Sequence, residues 1–201
     1  MGLIEPTKGS VTLFDGEDNA IGRVGYMLQR DHLLDWRTVE ENVLLGLQVK
    51  RMLTEERRAH AMALLERYGL GAFGKHHPRA LSGGMRQKVA LIRTLACDPT
   101  LLLLDEPFSS LDYQTRLRFA DELHGIIREQ GKTAVLVTHD IAEAVSLSDR
   151  VLVFTERPAT LKNTHSIALS RDETPLMRRN DKRFSGYFNA IWKELNDHGD
   201  Q

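Results

Sequence analysis

The sequence predicts an α/β fold built on a parallel sheet, and three observations carry that reading. Thr100 to Leu104 is a short continuous apolar run closed by Asp105, Glu106 and Pro107. A run of that length, bounded by turn formers, reads as a strand buried on both faces of a parallel sheet. From Thr100 onward strand-like and helix-like stretches alternate, which implies right-handed crossovers between parallel strands. Between residues 30 and 80 the character changes and the pattern turns helical. The 201 residues are enough for one well-cored domain with a subdomain inserted.

Taken in order, Met1 to Ile4 is a short apolar start that Gly2 and Pro6 keep from becoming a long helix. Val11 to Phe14 and Gly22 to Leu28 are predicted strands, joined through an Asp15-Gly16 turn, and Gln29 follows the second. Thr38 caps a helix with Glu40 and Glu41 in its first turn and Val43, Leu44 and Leu47 on its apolar face. Thr54 caps a second, striped by Ala61, Leu64, Leu65 and Tyr68 and closed by Gly69. Ser82 caps a third, running from Met85 to Ala96 with Val89, Ile92 and Ala96 inward, until Asp98-Pro99 ends it. After the apolar strand, Asp112 caps a helix with Leu117, Ala120, Leu123 and Ile127 on one face and Gly131 at its end. Lys132 to Thr138 is a β-branched strand ending at His139, Ile141 to Leu147 a short helix, and Val151 to Thr155 a strand. The tail holds a strand at Ser166 to Leu169 and a helix from Arg183 to Leu195.

Composition narrows the function. The net charge is −1 with acids and bases interspersed, which argues against a nucleic-acid partner. The apolar runs are far shorter than the ~20 residues that span a bilayer. No charged-then-apolar leader opens the chain, so a cytosolic protein is expected. Cys97, the single cysteine, reads as a buried thiol late in a helix. His76-His77 lack further ligands at metal spacing, and Arg178, Arg179, Lys182 and Arg183 read as a solvated basic face.

Two stretches carry chemistry. Asp105 and Glu106 stand at the carboxyl end of a buried strand, where carboxylates are costly unless they hold a metal or react. That end of a doubly wound sheet is also where ligands bind. In Leu81-Ser82-Gly83-Gly84 the serine suits an N-cap, and the glycines let backbone N–H groups approach an anion closely.

LSGGMRQ at 81–87, LLLLDEP at 101–107, SSLD at 109–112 and THD at 138–140 together resemble the ATP-binding subunit of an ABC transporter. The resemblance runs over nearly the whole chain. It implies a P-loop NTPase (RecA-like) core with an inserted helical subdomain over 30–97 and the rest of the core and the tail over 98–201. It implies ATP and Mg²⁺ as ligands. Asp105 resembles the Walker B aspartate that holds Mg²⁺, and Glu106 the carboxylate that polarises the attacking water. Gln29 resembles the Q-loop glutamine, a ligand of Mg²⁺ and water, and His139 the H-loop histidine at the γ-phosphate. Asp112 resembles the D-loop aspartate acting across a dimer. Ser82, Gly83 and Gly84 would touch the γ-phosphate bound to the opposite subunit, and Gln87 is grouped with these nucleotide-binding residues. Trp36 and Arg37 fall where the family meets its permease.

The stretch QRDHLLDWRTVEENVLLGL with FSSLDYQTRL is most similar to the nitrate, sulfonate and taurine importer branch. The implied partners are a second ATP-binding subunit, membrane permease subunits and, through them, an extracytoplasmic solute-binding protein. The implied location is the cytoplasmic face of the membrane, as a peripheral subunit.

One family element is missing from these 201 residues. No G-x-x-x-x-G-K-[ST] phosphate loop is present. Gly131-Lys132-Thr133 is a decoy, because the loop needs glycine at Ile126 and must run from strand to helix. The chain is therefore expected to start after the loop, short of at least a strand, the loop and most of a helix, roughly 30 or more residues as in one βαβ unit. By the resemblance, that strand would lie beside the one ending in Asp105. Two readings stay open. Either Met1 is an internal methionine of a longer ATPase, or the protein is truly shortened and lends only its LSGG motif to an intact partner. A soluble ABC protein of repair or translation, a third class, would carry long insertions or paired cassettes, and neither is visible.

Overall fold

The computed structural model describes residues 4–13 and 24–196. The chain forms two units, one made of Met1–Asp112 with Gln130–Val137 and the other of Tyr113–Glu129 with Thr138–Gln201. Among the described residues, no helix is long and apolar enough to cross a membrane.

The first unit holds a parallel sheet in the order β1 (Val24–Met27), β2 (Leu101–Asp105), β3 (Thr133–Val137). Its register sets Met27 beside Leu104 and Asp105 beside Val137. Side chains alternate across the sheet, so Gly25, Met27, Leu102 and Leu104 share one face. There a Cβ on Gly25 would lie 2.7 Å from Thr94 Cγ2 and 2.9 Å from Pro99 Cγ. Glycine at 25 is what lets the helix that carries Thr94 sit this close to the sheet. The opposite face carries Tyr26, Val135 and Val137, all exposed. β2 is thus buried on one face and half-buried on the other, not buried on both as expected. The expected neighbour strand beside it is also excluded: β1 and β3 already occupy its two edges.

Among the described residues, three α-helices belong to this unit. α1 (Val39–Val49) starts in a capping box, with Glu41 N–H donating to Thr38 Oγ1 and Thr38 N–H to Glu41 Oε2. α2 (Glu55–Arg67) starts at Thr54. It ends in a Schellman turn, where Gly69 (φ +74°) donates to Glu66 O and Leu70 N–H to Leu65 O. α3 (Gly83–Leu95) buries Val89, Ile92 and Leu95 and packs on α1. Cys97, just past it, is half-buried, with its Sγ against the backbone of Gly46. His76 O accepts from Val39 N–H, and His77 precedes a 3₁₀ turn over Pro78–Ala80. Val11 to Leu13 form no strand, while Phe14, Gly22 and Arg23 lie outside the described residues.

In the second unit, β4 (Arg150–Phe154) pairs antiparallel with β5 (Leu161–Ser166). Helices α4 (Tyr113–Glu129), α5 (Ile141–Leu147), α6 (Pro175–Arg179) and α7 (Phe184–Asn196) pack with them. The core is Val145, Val151, Val153, Ile167, Leu169 and Ile191. The buried stripe of α4 is Phe119, Ala120, Leu123 and Ile126, rotated from the expected face so that Leu117 and Ile127 are half-buried. The tail strand lies earlier than expected. Its Lys-Asn-Thr-His sequence shows no apolar alternation, and pairing with β4 determines it instead. The basic cluster also needs correction: Arg178 is 1% exposed and donates to Ser148 O at 2.8 Å, so it is a core strut and not a solvated group.

Candidate nucleotide site

In parallel β1 and β2, the carboxyl ends lie on the same side of the sheet, so Gln29 and the Asp105-Glu106 pair emerge together there. Asp105, the last residue of β2, is half-buried, and its Oδ2 accepts a hydrogen bond from Tyr26 Oη at 2.9 Å. Glu106 has φ +46°, a left-handed conformation uncommon for a side-chain-bearing residue. Its N–H donates to Val137 O at 2.9 Å, and its carbonyl accepts from Ser109 N–H and Ser109 Oγ. The backbone of Glu106 is therefore fixed on both sides, and strain of this kind concentrates at functional sites.

Ser82 caps α3 as expected, its Oγ accepting from Met85 N–H at 3.3 Å. Both Ser82 and Gly83 are exposed, whereas Gly84 is buried. A Cβ on Gly83 would meet nothing within 4 Å, so packing does not demand glycine there.

Gln87 does not stand at that surface. It is 2% exposed, and its Nε2 donates to Gln29 O at 3.3 Å and to Ser110 Oγ at 3.0 Å. Its neighbours on α3 grip the same loop. Arg86 holds the Asp31 carboxylate through Nε (2.8 Å) and Nη2 (3.1 Å), while Arg93 donates to Asp31 O and His32 O. Burial raises the Asp31 carboxyl, but the Arg86 bond, the Leu33 N–H and the charges of Arg86 and Arg93 outweigh it and hold the group below its ordinary value. Asn42, fully buried, accepts from Leu34 N–H and donates to Leu34 O, Arg37 O and Thr38 O, which shapes the turn that exposes Trp36.

His139 belongs to the second unit and is exposed. The residues around it are fixed: Asp140 N–H donates to Thr138 Oγ1 at 3.0 Å, and Thr138 Oγ1 donates to Glu143 Oε2 at 2.6 Å. Asp140 caps α5 through Glu143 N–H, and Arg116 lies within ion-pair distance of both acids. Asp112 is exposed at the end of the first unit.

The structure thus brings Gln29, Gln87 and the Ser110 segment together and joins Tyr26 to Asp105. Tyr26, Asp31, Arg86 and Glu143 were missed by sequence reasoning. Only the spacing of Arg86 and Arg93, seven apart on one helix face, offered a signal for them. Among the described residues, no group of three His, Cys, Asp or Glu could cage a metal. The oxygens of Asp105 and Gln29 instead suit a hard cation that keeps waters and takes its remaining ligands from phosphate.

Residues 1–109 match the ABC transporter family model. The uncharacterized ABC transporter ATP-binding protein YtlC of Bacillus subtilis is 48% identical over 197 residues, covering 97% of this chain and 76% of that protein. The taurine import ATP-binding protein TauB of Yersinia pestis is 44% identical, covering 78% of this chain but only 62% of its own length. The nitrate import ATP-binding protein NrtD of Synechocystis is 40% identical, covering 88% and 67%. Among solved structures, a dimeric post-hydrolysis state of the ATP-binding cassette MJ0796, bound to ADP and Pi, matches with a TM-score of 0.58 at 30% identity. That match covers 72% of this chain and 63% of the other.

Proposed function

The chain belongs to the ABC transporter family, and from that premise we propose that it is the ATP-binding subunit that energises import of a small solute of the nitrate, sulfonate or taurine kind. The observation that carries the reading is the Ser82-capped start of α3, with Gly83 open to a ligand, in the same unit as the Asp105-Glu106 strand end. Bound Mg²⁺ would neutralise charge on the ATP phosphates. Asp105 and Gln29 would hold the ion through oxygen, and Glu106 would polarise the attacking water. His139 contacts the γ-phosphate. Ser82, Gly83 and Gly84 cradle the nucleotide of a second ATP-binding subunit through the helix N-terminus, and Asp112 acts across that dimer. Permease subunits dock near Trp36 and Arg37, and an extracytoplasmic binding protein delivers the solute. The subunit sits on the cytoplasmic face of the membrane.

Vanadate-sensitive ATP hydrolysis by the whole protein, abolished by Glu106→Gln, tests the assignment; hydrolysis that persists unchanged in the variant would overturn it. A second reading is that the chain lends its LSGG motif in trans to an intact ATPase. Absence of intrinsic hydrolysis, together with a co-purifying ATPase silenced by Ser82→Arg, would favour that second reading.

A further inference from the structure

The geometry points to Gln87 as a positioning residue that joins the loop after Gln29 to the segment carrying Asp112, so that a displacement of either reaches the start of α3. It rests on the proposal that Gln29, Asp112 and Ser82 serve a nucleotide. The two acceptors of Nε2 lie 58 residues before and 23 residues after Gln87. Arg86 and Arg93 hold residues 31 and 32 to the same helix, whereas Gln87 bonds both segments. Its second turn of α3 follows directly on Ser82, Gly83 and Gly84.

The choice of residue supports this role over simple packing. Gln87 Oε1 is buried and has no hydrogen-bond partner. The amide cannot be turned over to satisfy it, because Gln29 O accepts and requires the nitrogen. Methionine would fill the same space without an orphaned oxygen, and a position selected for packing alone would favour it. A residue that breaks a local rule of this kind is expected at functional positions.

The test is Gln87→Met in the whole protein, which removes both donated bonds and the orphaned oxygen at nearly constant volume. The melting temperature is expected to hold or rise. Amide exchange is expected to quicken at residues 29–34 and 108–112, and kcat for ATP to fall about ten-fold with KM unchanged, as for a misplaced site. Ser110→Ala removes one arm, and faster exchange is then expected at 108–112 but not at 29–34. Unchanged exchange in both variants would overturn the proposal, as would a lower melting temperature with normal kcat. Loss of Glu106→Gln sensitivity would instead sink the site assignment, and the exchange comparison would still decide the link.

Discussion

Tyr26 Oη donates to Asp105 Oδ2 at 2.9 Å, across the boundary between β1 and β2 and on the sheet face that is least covered. The bond fixes the plane of the carboxylate and leaves Oδ1 for another ligand. Partners of this kind orient metal-binding groups, and their loss weakens metal binding by about ten-fold or more. Tyr26→Phe is accordingly expected to leave the melting temperature nearly unchanged and to raise the half-saturating Mg²⁺ concentration for hydrolysis about ten-fold. A Mg²⁺ titration read by nucleotide binding as well as turnover checks both halves.

Acid should loosen the first unit through two carboxylates. Asp31 is held low as described, and Glu40 is held low by its bond to Lys75 at 2.6 Å, against burial and with help from Arg58. Both folded values lie below the unfolded ones, which are about 4. The stabilisation is therefore complete above that pH and is lost as pH falls through the folded values. Asp31→Asn is expected to cost about 2 kcal/mol at neutral pH, as for a charge-assisted hydrogen bond. It should also flatten the acid limb of melting temperature against pH.

Glu143 behaves in the opposite sense. It is 4% exposed, and burial pushes its carboxyl above the ordinary value, with Asp140 adding and Thr138 and Arg116 opposing. Its contribution is full below the unfolded value of about 4.3 and declines as pH rises through the folded one. Glu143→Gln keeps an acceptor for Thr138 and is expected to be as stable as the parent or more so at pH 8. Glu143→Leu leaves the Thr138 hydroxyl without that bond and should cost about 1–3 kcal/mol. Denaturant titrations at two pH values separate these outcomes.

The α1–α3 contact can be broken by one methyl group. A Cβ on Gly46 would lie 2.7 Å from Cys97 Sγ, closer than packing allows. Gly46→Ala is expected to destabilise by about 1–3 kcal/mol, as overpacking does. Cys97→Ala should recover much of that loss, and a double-mutant cycle in denaturant measures the coupling.

Most helices were legible because their caps and stripes are local. Thr38, Thr54 and Ser82 each accept from the backbone N–H three residues on. The sheet was legible only in part. Leu101 to Leu104 announced a strand, but the sequence does not reveal which strands flank it or which face stays open, since both depend on register. β5 was misplaced because its residues are polar and its partner sets it. The site motifs could be read as letters, whereas the groups that aim them could not. Tyr26 and Asp105 are 79 residues apart, and Arg86 and Asp31 are 55 apart. Arg178 reads as a surface arginine until α6 is folded onto Ser148 O.

The backbone at Glu106 has an evolutionary corollary. Its left-handed φ of +46° disfavours most residues with a Cβ, and glycine, or to a lesser degree asparagine, would relieve on the order of 1 kcal/mol there. Selection for thermal robustness alone would therefore drift toward Gly or Asn at position 106, while selection for turnover, on the proposed role of Glu106, would hold the carboxylate. In a saturation library, fitness by folding and fitness by hydrolysis should rank substitutions at this position in opposite orders. Glu106→Gln, which shares the parent's backbone penalty, is the one comparison in which the chemistry changes and the conformational cost does not.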